Sequence, residues 1–242
     1  MSSLTIVLIT GVSSGIGNGI LQIYLGRPNH TVVGSVRNKS SPAAQELQKL
    51  PTAAGTPPGD PAEAVKQMEA AGIDHLDVVI ANAGGLRATV APLDSVTAED
   101  VNETFQINAL GPLMLFQAVR PLLQKSQATP KWISVSSALG SVGFMPSYHS
   151  HLAPAYGISK AGLNWITVAA HCANPWLVAF CVNPGMVQSG PGNRNAQALG
   201  LEKAPITIQQ ATDAILGLVD NATRETTSAK FFQAMTGQEI PW

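Results

Sequence analysis

Short apolar runs recur along the chain, and each is followed by a longer stretch with a helical pattern. The runs are rich in Val, Ile and Leu and lack polar alternation, which is typical of strands buried on both faces. They span 4–10, 31–36, 76–81, 132–136 and 177–182. The helical stretches span 15–25, 42–50, 60–71, 97–124, 155–173 and 207–219. This alternation predicts an α/β fold with one doubly wound parallel sheet, helices on both faces and a ligand at the carboxyl ends of the strands.

One stretch breaks the alternation. The segment 51–60, PTAAGTPPGD, follows the second helix but has no strand pattern. We therefore expect the third strand, at the edge of the sheet, to be missing or vestigial. Asp60 precedes Pro61 and Glu63, which predicts that Asp60 caps a helix.

The composition of the chain argues against nucleic-acid binding, membrane insertion and metal binding. The 14 Lys+Arg nearly balance the 15 Asp+Glu and form no basic tract, which argues against nucleic-acid binding. The apolar run 4–9 is too short for a signal peptide or a membrane span. Cys172 and Cys181 have no metal or redox spacing, so we expect neither a metal site nor a disulfide. These features predict one cytoplasmic domain over 1–242.

A glycine-rich turn separates the first strand from the first helix. Its residues run Thr10-Gly11-Val12-Ser13-Ser14-Gly15-Ile16-Gly17. Glycines let the backbone approach a pyrophosphate, whose charge then meets the free N–H groups of the helix. The turn predicts a dinucleotide site, with an ordinary glycine-rich loop as the alternative. The residues expected to hold the cofactor here are Gly11, Ser13, Ser14, Gly15, Ile16 and Gly17.

The residues after the second strand bear on the choice of dinucleotide. Arg37 stands 20 residues beyond Gly17, where an NAD site would place a carboxylate, and no acid occurs from Thr31 to Gln45. Arg37, followed by Asn38, therefore favours NADP(H) over NAD(H). The alternative is that Arg37 and Lys39 are solvated loop charges.

A tyrosine and a lysine share one helical face. Tyr156 and Lys160 are four residues apart at the opening of a predicted helix. A nearby ammonium favours phenolate and lowers the pKa of a phenol. We expect this effect to let the pair exchange a proton with a substrate oxygen.

Taken in order, these motifs resemble the short-chain dehydrogenase/reductases. The glycine turn, Asn82-Ala83-Gly84, Ser136-Ser137, Tyr156 with Lys160, and Asn183-Pro184-Gly185 follow the family's sequence of motifs over nearly the whole chain. YLGRPNHTVVGSVRN, GIDHLDVVIANAG and GQEIPW are most similar to the fungal branch that includes norsolorinic acid ketoreductase and the sniffer-like carbonyl reductases. The resemblance implies a Rossmann-like fold and hydride transfer between NADP(H) and a carbonyl or alcohol carbon.

The resemblance also implies roles for four residues. Tyr156 would give a proton to the carbonyl oxygen, Ser137 would hydrogen-bond that oxygen, and Lys160 would hold the nicotinamide ribose. Asn108 would anchor a water on the proton route. The sequence adds a reason of its own, because Pro112 has no N–H to bond the Asn108 carbonyl in a helix.

Further cofactor contacts are expected along the chain. They are Asn82, Ala83, Gly84, Pro184, Gly185, Val187 and Ser189. We expect a substrate lid around 186–205 and a long loop from Gly143 to Pro154 over the pocket. The residues expected to touch substrate are Phe144, Met145, His149 and Met186, although they could equally be core or dimer contacts.

The leading hypothesis is an NADPH-dependent ketoreductase for a hydrophobic, aromatic or polyketide-like ketone, acting as a homodimer or homotetramer. Two alternatives stay open. The same pocket could isomerise, dehydrate or cyclise a biosynthetic intermediate without net redox. The chain could also be a non-catalytic NADP(H) sensor, although a sensor needs no proton-transfer groups.

Overall fold

The fold is known from a computed structural model that describes residues 4–38, 40–48, 53–56, 61–85 and 91–242. Within these residues a seven-stranded sheet has the order β3-β2-β1-β4-β5-β6-β7, and all neighbouring strands are parallel. The predicted doubly wound parallel α/β fold is confirmed. The strands are β1 (Thr5–Thr10), β2 (His30–Ser35), β3 (Ala53–Thr56), β4 (Val78–Ala81), β5 (Lys131–Val135), β6 (Val178–Asn183) and β7 (Phe231–Gln233).

Helices cover both faces of the sheet. They are α1 (Gly15–Leu25), α2 (Pro42–Gln48), α3 (Pro61–Ala70), α4 (Ala98–Phe105), α5 (Gly111–Gln124), α6 (Met145–Tyr148), α7 (Pro154–Ala173), α8 (Gly190–Ala198) and α9 (Ile208–Asn221). Short 3-10 turns occupy Ala138–Gly140 and Ser150–Leu152.

Each face of the sheet has its own apolar core. In β1, Val7 and Ile9 face a core shared with α1 and α9, whereas Ile6 and Leu8 face a core shared with α3 and α5. Alternate residues of a strand point to opposite faces, so a strand covered on both sides must be apolar throughout. This is why the strands read as unbroken apolar runs.

The edge of the sheet decides between the two outcomes expected for the third strand, missing or vestigial. The third strand is not missing: β3 pairs with β2 in parallel from Val32 and Ala53 to Ser35 and Thr56. It is short, with four residues. Strand preference depends strongly on context, so Ala-Ala-Gly-Thr carries no strand signal although its backbone pairs. Asp60, the predicted helix cap, lies outside the described residues, as does Lys39.

Two other elements, the strand β7 and a π-helical turn, were not predicted from the sequence. The three-residue strand β7 beside β6 is too short to show a period. The predicted helix over 97–124 is interrupted by a π-helical turn at Gln106–Leu110. There the Gly111 N–H donates to the Gln106 carbonyl, five residues back. Such single-turn insertions are often found at functional sites.

A buried carboxylate joins three elements at the amino end of the sheet. Asp77 accepts a hydrogen bond from the Ile6 N–H at 2.8 Å and another from the Ser126 hydroxyl. Its Oδ2 also lies 3.4 Å from His75 Nε2. Asp77 is only 7% exposed, so water cannot replace these partners. The side chain therefore holds β1, the start of β4 and the loop before β5 together.

We predict that Asp77→Asn lowers the free energy of unfolding by about 1–3 kcal/mol, because the amide has one accepting oxygen where the carboxylate has two. Urea denaturation measures this difference. Asp74→Asn is the matched control, since the Asp74 side chain is 85% exposed and its hydrogen bond goes to the neighbouring His75. Equal unfolding curves for the two variants would contradict the role of Asp77.

Candidate active site

The glycine turn between β1 and α1 has the backbone that its sequence predicts. Gly11 and Gly15 have φ angles of +73° and +59°, a region that favours glycine. A Cβ placed on Gly17 would lie 2.4 Å from the Gly11 carbonyl oxygen and 2.5 Å from Asn82 Nδ2. Ser14 precedes α1 and makes no side-chain cap, so the side chain leaves the first N–H groups of the helix unblocked. The turn has the form needed to approach an anion.

Asn82, which follows β4, holds the glycine turn in place through hydrogen bonds with Thr10. Its Nδ2 donates to the Thr10 carbonyl at 2.9 Å. The Thr10 hydroxyl accepts in return from the N–H groups of Asn82 and Ala83 at 3.0 and 2.9 Å. The Asn82 side chain thus acts on the turn itself, whereas Ala83 and Gly84 are exposed beyond it.

The residues expected to choose the dinucleotide lie next to the turn. The N–H groups of Gly11 and Val12 donate to the Ser35 carbonyl at 3.0 and 3.1 Å. Arg37 follows two residues later and is exposed. Asn38 is also exposed, but its Oδ1 accepts from the Ser40 N–H at 2.9 Å and so shapes the loop.

The start of the predicted lid, around Ser189, lies beside the glycine turn between β1 and α1. A Cβ on Gly15 would lie 3.6 Å from the Ser189 Cβ. Ser189 caps α8 by accepting from the Gly192 N–H at 3.2 Å. Before it, Gly185 turns with a φ of +77°, and the buried Val187 bridges to Ile206. Ser189, at the end of the Pro184–Ser189 stretch, therefore lies close to the glycine turn, which we call the dinucleotide turn after its predicted ligand.

Ser137, Tyr156 and Lys160 come together where β5 ends and α7 begins. The Ser137 hydroxyl lies near enough to the Tyr156 phenol to lower its pKa in part. Lys160 Nζ lies 5.7 Å from the centre of the Tyr156 ring and donates to the Val135 carbonyl at 2.9 Å. The neighbouring Ser136 is bonded elsewhere, since its hydroxyl donates to Asn164 Oδ1 at 2.6 Å.

The electrostatics of this group differ from the expectation. Burial raises the pKa of Tyr156 to about 12, although the hydrogen bond with Ser137 lowers it in part. Burial also lowers the pKa of Lys160 to about 8. The predicted lowering of the tyrosine pKa by the lysine is wrong for this arrangement, because burial is the largest influence on the phenol and raises its pKa. The phenol is therefore protonated at neutral pH.

Asn108 lies in the π-helical turn and is fully buried. Its Nδ2 donates to the Gly85 carbonyl at 2.8 Å and to the Ser159 hydroxyl at 3.0 Å. Its Oδ1 accepts from the Gly85 N–H at 2.9 Å. Ser159 in turn donates to the Tyr156 carbonyl at 2.7 Å. Both ends of the amide are thus used to join the loop after β4 to the first turn of α7.

The space beside Lys160 is kept open by a glycine. A Cβ on Gly84 would lie 2.9 Å from Asn108 Oδ1 and 3.4 Å from Lys160 Nζ. This contact connects the loop after β4 with the lysine. The dinucleotide turn, the Asn82 loop and the Tyr156 cluster therefore form one continuous region at the carboxyl edge of the sheet.

The four expected substrate residues fall into two groups. Phe144 stacks on Tyr148 with ring centres 5.2 Å apart, next to Met145 and to His149, whose φ is +50°. Met186 lies on the lid side, where its carbonyl accepts from the Ile206 N–H at 3.2 Å. The four residues therefore lie on two separate segments, the loop 143–154 and the stretch after β6, and their contact with substrate stays a prediction.

One polar group in the loop was not found from the sequence. The Ser150 hydroxyl is buried and has no hydrogen-bond partner among the described residues. A Cβ on Gly157, next to Tyr156, would lie 3.9 Å from the Ser150 carbonyl oxygen. A serine between two histidines carries no sequence signal that would separate it from a solvated loop residue.

The described residues contain neither a metal-binding group nor a membrane-spanning helix. No three His, Cys, Asp or Glu side chains there are grouped so that they could hold a metal ion. In the same part of the chain, no helix is both long enough and apolar enough to cross a membrane.

Comparison with known proteins gives matches along the whole chain. The sequence profile of the short chain dehydrogenase family matches residues 5–199. The short-chain dehydrogenase srdF of Neurospora crassa is 44% identical, with 98% of each chain covered. The norsolorinic acid ketoreductase nor1 of Dothistroma septosporum is 36% identical over 100% of this chain and 94% of the relative. The structure of NADPH-bound carbonyl reductase from chicken fatty liver superposes with a TM-score of 0.86 at 26% identity, covering 100% of this chain and 96% of that chain.

We predict that Gly17→Ala destabilises the dinucleotide turn, because the new methyl group must displace the Gly11 carbonyl and the Asn82 amide. The expected loss is about 1–3 kcal/mol in the free energy of unfolding. Gly217→Ala is the matched control, since Gly217 lies inside α9 with no atom within 4 Å of an added Cβ. That variant should be unchanged or more stable by about 0.5–1 kcal/mol. Denaturant unfolding compares the two, and a neutral Gly17→Ala would contradict the packing described.

Proposed function

Because the chain belongs to the short-chain dehydrogenase family, we propose that it is an NADPH-dependent ketoreductase that reduces a hydrophobic, aromatic or polyketide-like ketone. The observation that carries this proposal is the group formed by Ser137, Tyr156 and Lys160. The Ser137 hydroxyl acts on the Tyr156 phenol, and Lys160 Nζ lies 5.7 Å from the centre of the Tyr156 ring. A carbonyl oxygen placed beside both would accept a hydrogen bond from each.

The state of the phenol favours reduction. With a pKa raised to about 12, Tyr156 carries its proton at neutral pH and can give it to the oxygen as negative charge develops there. The dinucleotide, when bound, supplies the hydride that reduces the carbonyl carbon. Ser137 stabilises the developing charge on the oxygen through its hydrogen bond.

Lys160 and Asn108 support the proton donor. Lys160 Nζ lies beside the glycine at position 84 and would hold ribose hydroxyls of the cofactor by donating hydrogen bonds. In an α-helix the carbonyl of Asn108 would accept a hydrogen bond from the N–H of residue 112, but Pro112 has no N–H to donate. That carbonyl would hold a water through which the proton is replaced.

NADP(H) fits the dinucleotide turn and its surroundings. The turn is tight at Gly11 and Gly15, and Ser14 leaves the first N–H groups of α1 without a side-chain cap, a form that suits the charge of a pyrophosphate. Arg37 is exposed directly after β2 and would pair with a 2′-phosphate. The segment 186–205 would act as the substrate lid over this cofactor. The chicken relative bound to NADPH supports the same choice.

An apolar groove on α7 supports a homodimer or homotetramer. Trp165 is 74% exposed, an unusual state for a large aromatic side chain. The groove is lined by Trp165, Val168, Ala169, Cys172 and Ala173. A second copy of the chain would cover this surface.

Tyr156→Phe should lower kcat for ketone reduction by about 100- to 10,000-fold, because the ring remains and the proton donor is removed. The Kd for NADPH should stay unchanged in a fluorescence titration. Tyr24→Phe is the matched control, since Tyr24 is a buried phenol in α1 away from the cluster. Retained turnover in Tyr156→Phe would overturn the proposed function.

Arg37→Ala should raise KM for NADPH by about 10- to 100-fold, the effect of losing a charge-assisted contact to phosphate. KM for NADH should not change, because NADH has no 2′-phosphate. Lys66→Ala provides the control, as the Lys66 side chain is 74% exposed on α3. Equal changes for the two cofactors would assign Arg37 no part in cofactor choice.

A further inference from the structure

The last residues of the sequence fold back on β7 and form a hook, defined here as Gln238–Trp242. The Trp242 ring stacks on the buried Phe231 ring with centres 5.6 Å apart and planes 19° apart. The Ile240 N–H donates to the Phe231 carbonyl at 2.8 Å, and Glu239 bridges to Phe232. The hook is therefore fixed to the sheet by both its backbone and an aromatic side chain.

The hook binds the loop that follows the Ser137 turn. The Ser141 hydroxyl donates to the Pro241 carbonyl at 2.6 Å, and the Gly143 N–H donates to the Trp242 carbonyl at 2.8 Å. A Cβ on Gly143 would lie 2.8 Å from the Pro241 Cβ, so the two segments are in close contact. Ser141 also accepts from the Phe144 N–H at 3.0 Å. One serine thus connects the hook to the residue that begins the aromatic stack.

The catalytic turn does not depend on the hook in the same way. Ser137 caps its own 3-10 turn by accepting from the Leu139 N–H at 3.2 Å. A Cβ on Gly140 would lie 2.6 Å from the Lys160 Cβ, and Asn164 donates to the Gly140 carbonyl at 3.3 Å. These contacts hold the turn against α7. The chain is therefore anchored to α7 up to Gly140 and to the hook from Ser141 onwards.

We propose that the hook is a positioning element that sets the width of the substrate pocket, with Trp242 and Ser141 as its specificity-determining residues. It acts through Phe144, which packs against the cluster that includes Phe231 and Ile240 and donates its N–H to Ser141, and through Tyr148, which stacks on Phe144. This proposal rests on the proposed reductase function and names one wall of its site. Large flat ketones need that wall, whereas a small ketone does not reach it.

The test compares Trp242→Ala and Ser141→Ala with phenanthrenequinone as the large substrate and cyclohexanone as the small one. We expect KM for phenanthrenequinone to rise about tenfold in each variant, while its kcat and the kcat/KM for cyclohexanone stay within about twofold. Trp242→Phe should restore KM, because a ring remains to stack on Phe231. Leu4→Ala, an exposed apolar side chain at the amino edge of the sheet, is the control.

The double variant Ser141→Ala/Trp242→Ala separates a shared device from two independent defects. If both residues act through the hook, the double variant should raise KM about tenfold rather than about a hundredfold. A multiplied effect, or a parallel loss for both ketones that follows the loss of folded protein, would overturn the proposal.

Hydrogen exchange provides a readout that needs no turnover. In Trp242→Ala the peptide covering 141–148 should exchange about tenfold faster, whereas the peptide covering the Ser137 turn should not change. Unchanged exchange at 141–148 would overturn the hook. If the native protein reduced neither ketone, the reductase function would fail, and the exchange result would still decide whether the hook holds the loop.

Discussion

The active region depends on one buried amide. Asn108 lies where water cannot reach, so each polar atom of its side chain must find a partner within the protein. It finds them in the backbone of Gly85 and in Ser159. Through these bonds the loop after β4 and the first turn of α7 are held at a fixed separation. The lysine, the tyrosine and the glycine at position 84 can only meet because that separation is set.

Burial also determines the chemistry of the cluster. The same desolvation that raises the pKa of Tyr156 lowers the pKa of Lys160, since each group is driven toward its neutral form. A neutral phenol is a proton donor, and burial keeps Tyr156 in that form well above neutral pH. A lysine with a pKa near 8 keeps most of its charge at neutral pH and can still donate hydrogen bonds.

The sequence predicted the sheet, the glycine turn and the grouping of motifs because these depend on local chemistry. A strand buried on both faces must be apolar, and a turn near +60° in φ favours glycine. It did not predict β3 or the phenol's raised pKa. The strand Ala53–Thr56 is held by pairing with β2, and the pKa of Tyr156 is set by distant segments that cover it. Strand pairing and burial by distant segments both depend on residues far apart in the sequence, so neither produces a recognisable local sequence pattern.

The π-helical turn at Gln106–Leu110 makes this region sensitive to chain length. A π turn contains one residue more than the α-helical turn it replaces, so side chains after it are rotated by about 100° relative to an uninterrupted helix. Deleting a single residue from this turn would therefore rotate α5 relative to α4 and place Pro112 inside a regular helix, where its ring opposes the preceding turn. It would also turn the buried Asn108 away from Gly85, so the length of this one turn governs both the stability of the fold and the position of the loop after β4.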